Sequence, residues 1–202
     1  MKQSILKQPH ESADGDFDSR IGARIHGLRA EGNLTLDDLA RRTGVSRAML
    51  SRIERGESSP TAHLLSKICG GLGVTLSVLF AETAAPASPL SRHRDQRTWR
   101  DPASRYLRRH ISPPGTGSPV DIVEVEFPAG GKVAFDSQRL PGTDQHIWLL
   151  DGSLELTLGE ESFHLEQGDC LMMGFDRPIQ FHNPTKRPIR YAVVISHPQA
   201  RP

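Results

Sequence analysis

The sequence lacks the uninterrupted apolar run that a membrane-spanning helix needs. None of its stretches approaches about eighteen consecutive apolar residues. Its opening, MKQSILKQPHESADGD, has no apolar core of the secretory type, so the chain is expected in the cytoplasm. Cysteine is scarce. Cys69 and Cys170 stand far apart without metal-type spacing, which argues against a disulfide framework and leaves two buried thiols as the expectation. No solenoid-type repeat is present. Overall charge is also nearly absent, at +1, and the apolar (36%) and charged (24%) fractions are those of an ordinary folded chain.

That small net charge hides an asymmetry. Residues 20–80 carry nine Arg/Lys against five Asp/Glu, whereas residues 99–202 carry eleven against thirteen. A basic first half and a mildly acidic second half point to one nucleic-acid-facing domain and one that is not. Between them, ETAAPASPLSRHRDQRT is rich in Ala, Pro, Ser and charge, and reads as a linker over 82–98. Apolar residues recur at helical spacing before it and alternate after it. The expected organisation is a mobile polar arm over 1–18, an all-α domain over 19–81, the linker, and an all-β domain over 99–202.

Five short helices are expected in the first domain. Ile21, Ile25 and Leu28 share a face that Gly32 can end. Thr35 is placed to cap a second helix, with Asp38 completing the cap, and Leu39 and Ala40 face the core. After a Thr43-Gly44-Val45 turn, Ser46 caps a third helix whose buried pair is Leu50 and Ile53. Leu64, Leu65, Ile68 and Leu72 mark a fourth helix ended by Gly73, and TLSVLF a short fifth.

Two short helices joined through a Gly-containing turn make a helix-turn-helix. The segment LTLDDLARRTGVSRAMLSRIERGESSPTAHLLSKICGGLGVTLSVLF resembles the Xre/Cro, lambda-repressor-like helix-turn-helix family, most specifically in LSRIERGESSP. The resemblance implies that the third helix lies in the DNA major groove, its first residues toward base edges. Arg47, Ala48 and Arg52 are the expected base-facing residues: an arginine can grip guanine through two hydrogen bonds, and an alanine can touch a thymine methyl. Thr35 and Ser46, at helix N-termini, are expected to donate to phosphates, with Arg41, Arg42 and Arg55 adding backbone charge. Arg29 and Glu54 match a structural ion pair of the family. Leu36 stands where relatives often carry a DNA-contacting Gln.

Beyond residue 104, the runs YLRRHI, VDIVEVEF, KVAFDS, HIWLLD, SLELTL, SFHLE, CLMMG, IQFH and IRYAVVIS alternate with turns such as PAGG, DGS and EQGD. Many short strands at this spacing point to an antiparallel barrel or jelly roll. WLLDGSLELTLGEESFHLEQGDCLMMGFDRPIQFHN resembles a cupin, a double-stranded β-helix of the jelly-roll type. A metal-bearing cupin supplies two histidines two apart, a carboxylate four later, and a third histidine in a second motif. Alignment on Gly152 puts Arg139 and Pro141 at the histidines and Gln145 at the carboxylate, while Pro178 and Asn183 put Ile179 at the third histidine. None of these side chains holds a divalent metal well, so no metal or other cofactor is expected. His146 and His182 are expected to face outward by strand alternation; a bulge that turned them inward would improvise a site.

What remains at the mouth is an expected small-ligand pocket of Arg139, Gln145, Ile147, Leu149, Ile179 and Phe181. Arg139 is the expected partner of a carboxylate or sulfonate. The apolar members could equally be plain core, and Trp148 with His146 would face the opposite surface, a candidate dimer contact. The implied protein is a transcriptional regulator, without enzymatic activity, that binds double-stranded operator DNA. Its cupin domain would form a homodimer and sense a small-molecule effector without metal; no membrane partner is expected. Two alternatives stand beside it: a metal-dependent cupin isomerase or dioxygenase carrying a DNA-binding domain, and a cupin that is only a dimerisation scaffold.

Overall fold

The computed structural model describes residues 11–81 and 88–198. The first ten residues of the expected arm and residues 82–87 of the expected linker lie outside them. The chain divides into two compact units between Pro60 and Thr61, so the segment expected as one helical domain over 19–81 runs across the division. Among the described residues, no helix is long and apolar enough to cross a membrane.

The first unit contains α1 (Glu11–Glu31), α2 (Leu36–Thr43) and α3 (Arg47–Glu54). Helix α1 begins inside the segment expected as a mobile arm. It buries Ile21 and Ile25, while Leu28 is half-buried. Gly32 follows its last turn as expected, but the left-handed residue that redirects the chain is Asn33, at φ 53°. Asparagine tolerates that conformation through its short polar side chain.

At Gly22, α1 and α3 approach too closely for a side chain to fit between them. A Cβ there would stand 2.3 Å from the carbonyl oxygen of Ile53 and 2.8 Å from that of Glu54. Two turns further on, the Arg29 guanidinium donates to both Glu54 carboxylate oxygens at 2.6 and 2.7 Å, and to the Leu34 carbonyl at 2.9 Å. The expected Arg29–Glu54 pair is thus formed, and it ties α1 to the end of α3 and to the loop before α2.

The second unit contains α4 (Ala62–Leu72), α5 (Leu76–Phe80) and ten strands: β1 (Thr98–Arg100), β2 (Leu107–His110), β3 (Val120–Phe127), β4 (Lys132–Phe135), β5 (Asp144–Asp151), β6 (Ser153–Leu158), β7 (Glu161–Glu166), β8 (Cys170–Met173), β9 (Ile179–His182) and β10 (Ile189–Ser196). One sheet has the order β1-β2-β3-β10-β5-β8, the other β4-β9-β6-β7, with antiparallel pairing throughout. Strands β3 to β10 therefore form the two interleaved four-stranded halves of a jelly roll, the cupin architecture. The sheets meet through their inner faces, where the Phe181 ring of β9 stacks on Tyr191 of β10 at 5.7 Å.

Strand alternation sets what lies inside. On β5, Gln145, Ile147 and Leu149 are buried while His146 and Trp148 are exposed. At the β5–β6 turn, Gly152 has φ 97°, and a Cβ would stand 2.3 Å from Ile189 Cγ2. Glycine is required there twice over, by conformation and by space. Asn183, fully buried, donates to the carbonyls of Pro128 and Arg187 at 2.9 and 2.8 Å and accepts from the Thr185 N–H, fastening the loop before β10.

Helices α4 and α5 are attached to the jelly roll by polar contacts. Asp101 Oδ1 accepts the Ala62 N–H at 2.8 Å, and Gln138 Nε2 donates to the Ser66 carbonyl at 3.1 Å. Lys67 pairs with Asp136 at 3.4 Å, and the Phe80 and Trp99 rings meet at 5.3 Å. Cys69 of α4 is buried, and burial pushes its thiol up to about 12. Cys170, expected to be buried as well, is exposed, because it lies on the outward parity of edge strand β8.

Replacing Gly22 with alanine forces the α1 and α3 backbones apart. The expected cost is about 1–3 kcal/mol, the usual penalty of overpacking. It should appear in urea denaturation as a lower midpoint for the transition that melts the helical unit; an unchanged midpoint would show that the contact yields freely.

Candidate functional site

The caps of α2 and α3 are built as their sequences require. Thr35 accepts the Asp38 N–H at 3.1 Å, while the Thr35 N–H donates to Asp38 Oδ2 at 2.9 Å, closing a reciprocal capping box. The Thr35 hydroxyl also donates to Asp38 at 2.5 Å. Thr35 is exposed, but both of its donors are committed to Asp38, and neither is spare for a phosphate. Ser46 accepts the Met49 N–H at 3.2 Å and keeps its own hydroxyl proton for another acceptor.

Helix α3 is anchored by Leu50 and Ile53, both buried. Ser46, Arg47, Ala48, Arg52 and Arg55 are all exposed around it, as is Arg41 on α2. The arginines differ in their partners. Arg41 pairs with Asp38, Arg47 stands 3.5 Å from Asp37, and Arg55 forms a two-pronged bond to Glu57 at 2.7 Å for each prong. Glu57 raises the affinity of Arg55 for its proton, and Arg55 holds the Glu57 carboxyl below its usual range. Arg52 makes no such bond among the described residues. Arg42 is exposed too.

In the second unit, a cavity of about 80 Å³ opens between the inner faces of the jelly roll and helices α4 and α5. Gln145, Ile179 and Phe181 of the expected pocket line it. Ile147 and Leu149 do not: fully buried, they belong to the core behind it. Arg139 is a correction. It is exposed and absent from the cavity wall, because it sits in the loop between β4 and β5, where strand alternation does not apply.

The cavity's buried arginine is Arg108 of β2 instead. It is 7% exposed, its guanidinium donates to Ser77 Oγ at 2.6 Å and lies 5.5 Å from the centre of the Phe80 ring, and its Nε–H has no acceptor. Desolvation lowers the proton affinity of Arg108, with the Tyr106, Asp121 and Tyr191 sites opposing. A guanidinium nevertheless stays charged in a protein. Tyr106 and Tyr191 also line the cavity, and burial drives both phenols well above their ordinary range.

Metal-type donors do not converge. His146 is exposed on one sheet, and His182 is bonded to Glu155 at 2.7 Å on the other. Among the described residues, no group of three His, Cys, Asp or Glu is arranged to hold a metal ion.

Comparison with known proteins places these features. A helix-turn-helix family model matches residues 25–79. The HTH-type transcriptional regulator SutR of Escherichia coli is 27% identical, over 89% of this chain and 96% of that protein. The HTH-type transcriptional regulator y4dJ of Sinorhizobium fredii is 35% identical over 34% of this chain and 88% of its own length. Among solved structures, an HTH_3 family transcriptional regulator from Vibrio cholerae superposes with a TM-score of 0.75 and 28% identity, covering 92% of this chain and 99% of that one.

The capping box carries a pH dependence whose sign is fixed. Bonds from Thr35, with the nearby Arg41 and Arg42 charges, hold the Asp38 carboxyl below its usual range. Its contribution to stability is therefore complete above the unfolded-state value of about 3.9, and is lost as pH falls through the lower folded-state value. The urea midpoints of the natural chain and of Asp38→Asn should differ at about pH 5 and converge as acid protonates Asp38. A gap that stays constant down to about pH 2 would remove Asp38 from this role.

Proposed function

Since the chain belongs to the HTH-type transcriptional regulators, we propose that α3 reads a specific operator and that the jelly-roll unit reports a small-molecule effector to it. The observation that carries the first half is the presentation of α3. Leu50 and Ile53 fix the helix from beneath, and Arg52 lies between them in sequence, exposed, with its guanidinium uncommitted. Such an arginine can give two hydrogen bonds to guanine O6 and N7 without first breaking a bond of its own. Arg47 and Ala48, in the first turn, are the other base-facing residues of this reading. The Ser46 hydroxyl, Arg41 and Arg55 serve the phosphates, with Arg41 and Arg55 having to leave Asp38 and Glu57 to do so.

A regulator of this kind binds as a homodimer to half-sites about one helical turn apart. The outer face of the six-stranded sheet supports a second copy as the dimer partner. Ile122 (39% exposed), Trp148 (49%) and Met172 (57%) stand on that face, with Ile122, Val194, His146 and Met172 in register across four neighbouring strands. Exposed large apolar side chains gathered on one sheet face, broken only by His146, are what a monomer seldom leaves uncovered. Work on chromosomal DNA sets the cytoplasm as its place. The effector reading needs no metal: the positions where a metal-bearing cupin keeps its ligands hold Arg139, Pro141, Gln145 and Ile179. That donor set is also what disfavours the isomerase or dioxygenase alternative.

Two measurements test this. With an operator selected from random DNA, Arg52→Ala should weaken binding about 10- to 100-fold and relax preference at one base position, as expected for about 1–3 kcal/mol of lost discrimination. Arg55→Ala should weaken all sequences alike and flatten the salt dependence. Retained specificity in Arg52→Ala would falsify the assignment. Separately, Trp148→Glu should convert a dimer to a monomer in light scattering while leaving the circular dichroism spectrum unchanged; a variant that remains dimeric moves the interface elsewhere.

A further inference from the structure

The cavity of the second unit is lined by a cation that the protein does not neutralise. Arg108 makes one hydrogen bond, to Ser77, and one ring contact, to Phe80; no carboxylate lies within ion-pair distance of it among the described residues. The acid on the cavity wall, Asp136, pairs with Lys67. A second arginine there, Arg177, is exposed and pairs with Glu161 at 2.9 Å. A buried guanidinium with an unsatisfied Nε–H is costly, and ordinarily such a charge is paired. Around it stand neutral hydrogen-bonding groups, the hydroxyls of Tyr106 and Tyr191 and the amide of Gln145, none bonded to another side chain among the described residues. The remaining wall is apolar, with Ile179, Phe181 and Val193 among its residues.

We propose that this cavity binds a small organic monoanion, its carboxylate held by Arg108 and Gln145 and its short apolar body set against Ile179, Phe181 and Val193. A planar carboxylate matches the fork of a guanidinium. A volume of about 80 Å³ suits a head group with a few carbons, since an apolar cavity of about 150 Å³ accommodates benzene. The proposal rests on the effector reading given above and adds the chemical class.

Binding also has a built-in consequence. Ser77 lies in the first turn of α5, and its hydroxyl occupies one prong of Arg108. An incoming carboxylate competes for that prong and releases Ser77. Gln138 offers a second tie at the same cavity, through Nε2 to the Ser66 carbonyl of α4, while its Oε1 is buried without a donor. The anion therefore exchanges a helix-to-sheet bond for a ligand-to-sheet bond.

The test uses the full chain at constant ionic strength, with propionate, butyrate and isovalerate as probes and butyramide as the uncharged control. At about 100 times its Kd, a carboxylate should raise Tm by about 5–10 °C, and the amide should not. Arg108→Met should bind the same carboxylate at least about 10-fold more weakly while melting no lower than the natural chain, because it removes an unpaired buried charge. Ser77→Ala, which frees the guanidinium, should bind it severalfold more tightly. Equal shifts from butyrate and butyramide overturn the proposal, as does the absence of any carboxylate binding at millimolar concentration. Should Arg108→Met fail to fold, an unchanged carboxylate affinity in Ser77→Ala overturns it instead. Operator affinity, measured with and without the bound carboxylate, separates the two levels. A carboxylate that binds through Arg108 without altering operator affinity supports the anion site and sinks the effector reading. An uncharged compound that fills the cavity and alters operator affinity does the reverse.

Discussion

The buried carboxylate of Asp101 holds the first turn of α4 on the jelly roll, and the character of the second unit depends on that docking. A carboxylate at a helix N-terminus satisfies a backbone N–H that has no partner within the helix and meets the positive end of its dipole. Here the acceptor comes from the loop after β1 and the donor is Ala62. With α4 fixed there, its second turn brings Ser66 to Gln138, and the short α5 brings Ser77 and Phe80 to Arg108. An open jelly-roll mouth would leave Arg108 hydrated. Roofed by helices, the same side chain becomes a desolvated cation with one neutral acceptor and one aromatic face for company, partial compensation at best.

Local chemistry made much of the helical unit legible. Thr35 with Asp38, and Ser46 before an apolar pair, are signals whose physical cause lies within a few residues, so the caps of α2 and α3 and the burial of Leu39, Leu50 and Ile53 could be written down in advance. Alignment on Gly152 placed Gln145 inside, and alternation along HIWLLD then placed Ile147 and Leu149 inside and His146 outside, as the structure has them. Gly152 marked its turn for the same reason: both its backbone conformation and the nearness of Ile189 exclude a side chain.

The cavity was harder to read from local pattern. In YLRRHI the apolar parity is Leu107 and Ile111, and pattern alone turns that face inward. The structure buries Tyr106 and Arg108 instead. Burial there is governed by Ser77 and Phe80, which arrive from some thirty residues earlier in the chain, and no local pattern encodes them. Arg139 was the expected inward cation because an aligned motif was extended back into a loop, where the two-residue period has no force. Strand β1 went unseen because it is three residues long with one large apolar side chain, Trp99, whose ring partners are Phe80 and Tyr106. Places where sequence pattern and burial disagree are where a fold sets aside local preference, and a binding site is a common reason for doing so.

The same disagreement bears on how an effector could act. A ligand shifts an equilibrium between two arrangements only by the difference in its affinity for them, so a cavity that merely holds a molecule transmits nothing. The Arg108–Ser77 bond supplies such a difference, because a carboxylate and the Ser77 hydroxyl seek the same donor. An arrangement in which α5 keeps that bond binds the anion less well than one in which it lets go. The helix-turn-helix match runs over residues 25–79 and so includes α4 and Ser77. The group that the proposed anion would displace is therefore part of the sequence unit that defines the DNA-binding family, and by reciprocity a DNA that favours the bonded form would weaken that anion by the same factor.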